Sequence, residues 1–239
     1  MSRIDGRPNN QTRPVTIELG VAPYAEGSAM IRAGNTQVLC AATVQETVPH
    51  FMKGTGRGWI TAEYAMLPRA THIRTERERR GAGGRTMEIQ RLVGRSLRAV
   101  AETAFLGERT VVVDCDVLQA DGGTRTMAVT GAFVAMYHAM DGMVKRGIIA
   151  RNPVRDFVAA VSVGVVDGAG VLDLCYSEDS RADVDMNVVM TADGRFVEVQ
   201  GTAEGAPFEK KRLDELLELA AHGIRQLILA QHAALGIGR

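Results

Sequence analysis

Two arginines occupy the same short motif at two places in the chain. The segments are "GGRTMEIQ" at Gly83–Gln90 and "GGTRTMAV" at Gly122–Val129, so Arg85 and Arg125 each begin an Arg-Thr-Met triplet behind a glycine pair. Each triplet stands just before a stretch with the apolar periodicity of a helix. A helix N-terminus carries a partial positive charge, so a cation there is unfavourable unless an anion lies between the two. We therefore predict that the two arginines hold one shared anion.

A phosphate group fits this predicted site. Arginine binds two phosphate oxygens at once, and a helix N-terminus offers free N–H groups. The glycines just before each arginine let the backbone come close, and the hydroxyl of Thr124, Thr126 or Thr86 can add a donor. For either segment alone, a surface arginine beside a threonine N-cap remains an alternative. The site is not a Walker-type phosphate loop, because the sequence has no G-x-x-x-x-G-K-[ST] motif.

The second candidate is a run of carboxylates, "EDSRADVDMN" at Glu178–Asn187. Strand alternation from position 182 places one set of polar side chains on the same face, namely Asp183, Asp185 and Asn187. Asp179 and Glu178 come just before and lie within reach of the same end. Clustered carboxylates on a strand commonly hold Mg²⁺, a hard ion that takes oxygen ligands. The solvated outer face of an antiparallel strand remains the alternative.

The third candidate is the segment Pro68–Arg85, "PRATHIRTERERRGAGGR". Its arginines are Arg69, Arg74, Arg77, Arg79, Arg80 and Arg85. They are offset only by Glu76 and Glu78. A flexible basic loop beside a phosphate site suits a nucleic-acid backbone. A solvated loop with internal Glu–Arg pairing remains the alternative, since the aromatic residues of a base-stacking surface are missing.

Together these segments indicate one reaction. Two arginines hold a small anion, carboxylates hold a metal ion, and a basic loop holds a polyanionic chain. If the anion is inorganic phosphate, it can itself attack a phosphodiester. Two anions must then meet, so electrostatic stabilisation and positioning supply most of the catalysis. No Ser-His-Asp or Cys-His set is needed for such a phosphorolysis, and none is visible in the sequence.

The composition agrees with a globular protein and excludes several classes. Of the 239 residues, 46% are hydrophobic, which is enough for a full core, and no apolar run reaches the length of a membrane span. The N-terminal "MSRIDGRPNN" lacks the apolar part of a signal peptide, so a cytoplasmic location is expected. The 28 basic and 28 acidic residues balance, so only a local patch can bind a polyanion. The three cysteines are expected to be buried and reduced, and the histidines show no metal-ligand spacing.

The elements that must position these residues can be predicted from their periodicity. A β-meander is expected over Val15–Gly20, Gly27–Val44 and Trp59–Leu67, followed by a helix from Thr86 to about Ala104. The near-continuous apolar run Thr110–Ala120 predicts a strand buried on both faces. Its Asp114 and Asp116 are expected to be buried with structural hydrogen bonds. A second helix is predicted from about Thr126 to Lys145.

The β-rich pattern then returns and ends in a last helix. Strand-like segments are "FVAAVSVGVVDG", "VLDLCYS", "ADVDMNVVMTADG" and "RFVEVQGTA", and the last helix is expected to open near Pro207. The two parts of the chain thus have a similar order, strands followed by a helix. We predict one α+β domain over residues 1–239 with pseudo-duplicate halves, about 1–148 and 149–239.

Several longer segments also resemble the bacterial ribonuclease PH family of phosphate-dependent tRNA 3′-exoribonucleases. They run along nearly the whole chain: "RIDGR", "GWITAEYAMLPRAT", "GRTMEIQRLVGRSLRAV", "DCDVLQADGGTRT", "SRADVDMNVVMT" and "VEVQGTAEGAPF". The resemblance implies a fold like that of ribosomal protein S5 domain 2, with tandem βαβα-type halves. It also implies that nucleotides are removed from the 3′ end of precursor tRNA as nucleoside diphosphates, and added in the reverse reaction.

The resemblance further implies roles for particular residues. The phosphate ligands of the family fall on Arg85, Gly123, Thr124 and Arg125. Its catalytic, Mg²⁺-associated aspartates fall on Asp179 and Asp185. The arginines that engage tRNA fall on Arg69, Arg74 and Arg77 in the basic loop. The family assembles as a homo-hexamer, a trimer of dimers, which acts on tRNA and other structured RNA and has no membrane partner.

Three other functions remain to be compared with this one. A non-catalytic RNA-binding ring subunit is expected to lack the phosphate arginines or the aspartates, but Arg85, Arg125, Asp179 and Asp185 are all present. A hydrolytic Mg²⁺-dependent exonuclease leaves the paired arginines with no small anion to hold. A simple phosphate-binding module leaves the basic loop and the carboxylates without a role.

Overall fold

The computed structural model describes residues 3–78 and 81–238, which form two β-sheets and four α-helices. The elements in chain order are β1 (Val15–Leu19), β2 (Gly27–Ala33), β3 (Thr36–Gln45), β4 (Trp59–Met66), α1 (Gly84–Ala99), β5 (Thr110–Gln119), α2 (Thr124–Lys145), β6 (Val158–Val166), β7 (Ala169–Leu172), α3 (Tyr176–Asp179), β8 (Val184–Thr191), β9 (Phe196–Ala203) and α4 (Lys210–Leu235). The predicted α+β class is confirmed. None of the helices in the described ranges is both long enough and apolar enough to cross a membrane.

The first sheet is not the simple meander predicted from the sequence. Its strand order is β1-β2-β3-β5-β4, and β4 pairs with β5 in parallel while the other pairs are antiparallel. Helix α1 connects β4 to β5, and a parallel pair requires such a crossover. The crossover places β5 between β3 and β4, so the prediction that Trp59–Leu67 continues the meander was wrong.

Strand β5 is buried on one face only, which corrects a second prediction. Val111, Val113, Cys115 and Val117 are buried, whereas the residues between them are half-buried. Asp114 and Asp116 therefore lie on the less covered face, and Asp114 is in register with Glu63 of β4. In the described part of the chain neither carboxylate accepts a hydrogen bond. Burial raises the pKa of both aspartates, and the charge of Glu63 raises that of Asp114 further.

The second sheet is antiparallel throughout, with the strand order β7-β6-β8-β9. Strand β6 is buried along its whole length, because it is central in the sheet and contacts both α2 and α4. Helix α4 begins at Lys210, three positions after the predicted Pro207. The segment "VLDLCYS" is strand only to Leu172, and from Tyr176 it forms the single turn α3.

Helix α2 lies between the two sheets and joins their cores. It contacts β2, β3 and β5 of the first sheet and β6 of the second. A helix that is apolar on all sides is typical of such a central position, and fifteen of its residues are buried. Gly131 allows a close approach to β2 and β3, since a Cβ there would stand 2.7 Å from Ile31 Cγ2 and 2.9 Å from Cys40 Sγ. Cys40, Cys115 and Cys175 are buried free thiols, as predicted.

Candidate functional site

Arg125 is the second residue of α2, so the helix begins two residues earlier than predicted. Gly122 and Gly123 precede it with φ values of +74° and +66°, a region that favours glycine. These angles let the chain turn sharply from β5 into α2. No side chain caps the helix and no acidic residue stands in its first turn, so the first N–H groups lack a side-chain acceptor at a helix end that lines the cleft.

Helix α1 presents a similar end. It begins at Gly84, so Arg85 is also a second residue, and it has neither a side-chain cap nor an acid in its first turn. The two glycine pairs are not equivalent, however. Gly83 has an ordinary φ of −67°, and nothing lies within 4 Å of a Cβ built on Gly84. Only the second pair is required by the local backbone, which corrects the assumption that both are.

The two helix ends open onto one cleft. Its volume is about 620 Å³, and its lining includes Arg85, Gly123, Thr124 and Arg125. The sequence prediction that both arginines face a common site therefore agrees with the geometry. A cleft that carries two cations and two helix N-termini is suited to an anion.

Two hydrogen bonds prepare the α2 end for a ligand. Tyr64 of β4 is buried and its hydroxyl lies 3.0 Å from Thr124 Oγ1. When Tyr64 donates this bond, the Thr124 hydroxyl is left to donate its own proton into the cleft. Thr126 Oγ1 donates to Gly123 O at 2.9 Å and so holds the turn before the helix.

The guanidinium of Arg125 is held by two residues that the sequence prediction did not include. Its Nη1 donates to Gln200 Oε1 of β9 at 2.7 Å and to Glu88 Oε1 of α1 at 3.1 Å. Gln200 Nε2 also donates to Glu88 Oε1 at 2.7 Å. Arg125 is thus oriented by side chains from α1 and β9. Neither residue stands out in the sequence, because the contacts join segments 37 and 75 positions away.

The two predicted catalytic aspartates line the same cleft. Asp179 ends the turn α3, and Asp185 lies on β8 with the alternation predicted for that strand. Burial and the charge of Asp179 raise the pKa of Asp185 to about 6. Burial raises the pKa of Asp179 as well, and the nearby charges of Arg85 and Arg125 oppose that rise. Glu204, another residue that the sequence prediction missed, raises both.

This pair of carboxylates fits a divalent cation. Two half-buried carboxylates with raised pKa repel each other, and a cation between them relieves the repulsion. Asn187, buried on the same strand, adds an amide oxygen to the cleft lining. Among the residues whose positions are described, no group of three His, Cys, Asp or Glu side chains forms a metal cage. Mg²⁺ suits such a site, because it binds through one or two carboxylates and completes its shell with water and substrate phosphates.

Glu178 does not belong to this cleft, contrary to the sequence prediction. Its side chain points away from Asp179 into the protein, where it is 2% exposed and pairs with Arg3 at 2.6 Å. The alternation rule cannot assign it, because residues 176–179 form a helical turn rather than a strand. Asp183 is exposed and is absent from the lining of the cleft.

The basic loop crosses one edge of the cleft, where Arg85 lines it, but Arg69, Arg74 and Arg77 do not. Thr71, His72, Ile73 and Thr75 contribute to the lining. The predicted RNA-binding residues Arg69, Arg74 and Arg77 are exposed on the same loop. Arg69 Nη1 donates to His72 O at 3.0 Å. Burial raises the pKa of Asp116, and the nearby charge of Arg77 opposes that rise. Arg79 and Arg80 lie outside the described residues.

Comparison with known proteins gives consistent matches along the chain. Residues 11–140 match the 3′ exoribonuclease family, domain 1, and residues 156–223 match domain 2 of the same family. A curated ribonuclease PH from Syntrophomonas wolfei subsp. wolfei is 56% identical over 239 residues, which cover 99% of this chain and 100% of the relative.

Solved structures agree with the sequence matches. A chain of the Archaeoglobus fulgidus exosome with RNA bound to the active site is 26% identical, with a TM-score of 0.81 over 95% of this chain and 92% of that one. A chain of an archaeal exosome core is 25% identical, with a TM-score of 0.77 over 98% and 91%. The fold is therefore of the ribosomal protein S5 domain 2-like class that the sequence resemblance implied.

Proposed function

Because the chain belongs to the 3′ exoribonuclease family, we propose that it shortens RNA from the 3′ end by phosphorolysis. In this proposal inorganic phosphate is the nucleophile and a nucleoside diphosphate is the product. One observation carries it: Arg85 and Arg125, each the second residue of a helix without a cap, line the same cleft as two aspartates. A hydrolase that uses water has no need for this anion site.

The phosphate is held at the first turns of α1 and α2. The backbone N–H groups of the α2 end, the hydroxyl of Thr124 and the fork of Arg125 donate to its oxygens, and Arg85 completes the cradle. The donors at the α2 end are in place before the reaction, so they stabilise developing charge without reorganisation. Glu88 and Gln200 fix the direction of the Arg125 fork.

In the reaction, a phosphate oxygen attacks the phosphorus of the last phosphodiester. A new P–O bond forms, the bond from phosphorus to the 3′ oxygen of the preceding nucleotide breaks, and that oxygen takes up a proton. The products are a nucleoside diphosphate and an RNA shortened by one nucleotide. The reverse reaction adds a nucleotide and releases phosphate.

Asp179 and Asp185 are the residues that would hold Mg²⁺ in this cleft. When bound, the ion would supply positive charge that offsets the negative charge developing in the reaction. Their raised pKa values support this assignment, since two carboxylates this close are more stable with a cation nearby.

The substrate we propose is the 3′ end of precursor tRNA, and other structured RNA of the same chemistry. The exposed Arg69, Arg74 and Arg77 lie on the loop that borders the cleft. There they can contact phosphates upstream of the reacting one. A cytoplasmic location is part of the same proposal, because precursor tRNA is processed there.

We also propose a homo-hexamer, a trimer of dimers. Apolar side chains on the neighbouring α1 and β9 support an assembly, with Met87 53% exposed and Phe196 50% exposed. Light scattering coupled to gel filtration measures the mass in solution. A mass of six chains is expected, and a mass of one chain contradicts the proposal.

The reaction is tested with a tRNA that carries a few extra 3′ nucleotides, in the presence of Mg²⁺. Parallel reactions contain or lack inorganic phosphate, and the released nucleotides are separated as mono- and diphosphates. We expect diphosphates, and only when phosphate is present. Monophosphates released without phosphate would mean that water attacks and that the anion site has another purpose.

A further inference from the structure

The N-terminal segment contains buried arginines that the proposed reaction does not use. Arg3 and Arg7 are the first and last residues of the motif "RIDGR", and Arg13 follows shortly before β1. Arg3 is 6% exposed and Arg13 is 3% exposed, although arginine is rarely buried without a specific partner. Their partners lie near the cleft.

Arg13 is joined to Asp173, which is 1% exposed, by three hydrogen bonds. Its Nε donates to Oδ2 at 2.9 Å, its Nη2 donates to Oδ1 at 2.7 Å, and its backbone N–H donates to Oδ2 at 2.7 Å. This two-pronged geometry fixes the orientation of both side chains. Asp173 has a φ of +55°, a left-handed conformation that these contacts help to hold.

The same guanidinium also holds the loop before α2. Arg13 Nη1 donates to Asp121 O at 2.6 Å, and Nη2 lies 3.4 Å from Gly122 O. Thr36 supports the same loop, because its hydroxyl donates to Gly122 O at 2.7 Å and accepts from the Asp121 N–H at 3.0 Å. Arg13 therefore connects the glycine turn of the anion site with Asp173.

Asp173 stands a few residues before α3, so the connection reaches the aspartates. The two backbones touch here: a Cβ on Gly122 would lie 2.5 Å from Leu174 O and 2.8 Å from Tyr176 N. Arg3 fixes the next turn, since its Nε and Nη2 donate to the two oxygens of Glu178 at 2.8 and 2.6 Å.

A buried ion pair is weak evidence for a role in stability, because its desolvation cost offsets most of its attraction. The Arg13–Asp173 pair, however, connects two loops from different halves of the chain. The loop before α2 carries part of the anion site, and the loop before α3 leads to the aspartates. We propose that Arg13, Asp173 and Thr36 are positioning residues that set the phosphate cradle at α2 in register with the aspartates at α3 and β8. The inference rests on the proposed phosphorolysis and adds residues that act through others.

The test compares Arg13→Lys and Thr36→Val with the parent chain. Lysine keeps the charge but loses the two-pronged contact, and valine keeps the shape but loses the hydroxyl. Arg98→Lys is the matched control, because Arg98 is a half-buried arginine that donates to Ile60 O at 2.7 Å away from the cleft. For each protein we measure Tm, the phosphate KM, kcat, the tRNA Kd, and phosphate binding by calorimetry.

Misplacement by a fraction of an ångström costs far more in catalysis than in folding, so we expect the phosphate KM of both variants to rise about ten-fold. The tRNA Kd should stay within about two-fold, and phosphate affinity by calorimetry should fall in parallel with the KM. Arg98→Lys should lower Tm without changing the phosphate KM. If Arg13→Lys does not fold, the phosphate KM and calorimetric affinity of Thr36→Val decide whether the inference holds.

Two results would overturn the inference, and they are distinguishable. If the parent needs phosphate but the folded variants keep its KM and calorimetric affinity, the pair is purely structural and only this inference fails. If the parent releases nucleotides without phosphate, the proposed function fails as well.

Discussion

The two arginines of the cleft differ in how firmly they are held. Arg125 is 14% exposed in its side chain and is fixed by Glu88 and Gln200. Arg85 is exposed at the first turn of α1. A held cation loses less entropy when an anion arrives, so Arg125 is expected to contribute more to phosphate affinity than Arg85.

Arg125→Ala should raise the phosphate KM by about 10- to 100-fold, because a charge-assisted hydrogen bond contributes about 1.5–3 kcal/mol. The affinity for tRNA should stay near that of the parent. Steady-state kinetics over a range of phosphate concentrations measures the effect. Arg95→Ala is the control, since Arg95 lies on α1 but pairs with Glu198 outside the cleft. An unchanged phosphate dependence in Arg125→Ala would remove this residue from the site.

Asp185→Asn should abolish turnover and still raise the stability of the metal-free protein at pH 8. The pKa of Asp185 is raised from 3.8 to about 6, so its charged form is less stable in the folded state than in the unfolded state. The free energy of unfolding therefore falls as the pH rises from about 4 to about 6, and the amide variant lacks that loss. Thermal unfolding at pH 5 and pH 8 in a chelator measures it.

The same pair of proteins tests the proposed metal site. Mg²⁺ should raise the Tm of the parent at pH 8, because it binds the folded state. It should raise the Tm of Asp185→Asn much less. Equal shifts in the two proteins, or full activity of the variant, would show that Asp185 is not a ligand.

At the scale of elements, the sequence predicts which face of a helix or strand is buried better than it predicts which strands lie side by side in a sheet. The strand spans near Val15–Leu19 and Trp59–Met66, the apolar face of α1 and the alternation of β8 follow from local periodicity. The position of β4 at the edge of the sheet, next to β5, does not follow from local periodicity. It depends on the crossover through α1.

The candidate site shows the same division. Its charged residues stand in recognisable local patterns. The six residues that the resemblance assigns to phosphate or metal all line the cleft: Arg85, Gly123, Thr124, Arg125, Asp179 and Asp185. The residues that orient them were missed. Tyr64, Glu88 and Gln200 act across long sequence separations, and nothing local distinguishes them from other strand or helix residues.

We propose that the basic loop binds RNA through the positive charge of its exposed arginines. The double variant Arg74→Ala, Arg77→Ala should weaken tRNA binding and reduce the slope of log K against log salt by about 0.7–0.9 per lost phosphate contact. Binding measured at several salt concentrations gives the slope. Lys210→Ala, Lys211→Ala, at the start of α4, removes the same charge elsewhere as a control. If both doubles keep the slope of the parent, the loop does not contact RNA phosphates.

At the scale of the molecule, the cleft is assembled from both halves of the chain. Arg85 and Arg125 come from the helices of the first sheet, and the aspartates come from the second sheet and α3. Helix α2 packs on both sheets and joins their buried residues into one cluster. The relative position of the two halves, and hence the geometry of the site, depends on this shared core.

We therefore propose that the whole chain unfolds as a single unit. Met136→Ala in α2 should lower the free energy of unfolding by about 2–5 kcal/mol, and exposed Leu229→Ala by less than about 0.5 kcal/mol. Fluorescence of Trp59, the only tryptophan, reports on the first sheet, and hydrogen exchange of β6 and β8 reports on the second. Both probes should shift together in Met136→Ala. Separate transitions would mean two independently folding domains.

The glycine at position 122 has a genetic consequence. Every missense change there introduces a Cβ, and both the φ of +74° and the carbonyl of Leu174 exclude one. Gly84, at the other motif, has an unobstructed side and an ordinary backbone. In a saturation-mutagenesis library selected for activity, position 122 should retain glycine alone while position 84 accepts alanine and serine. The two glycine pairs are therefore expected to tolerate substitution unequally.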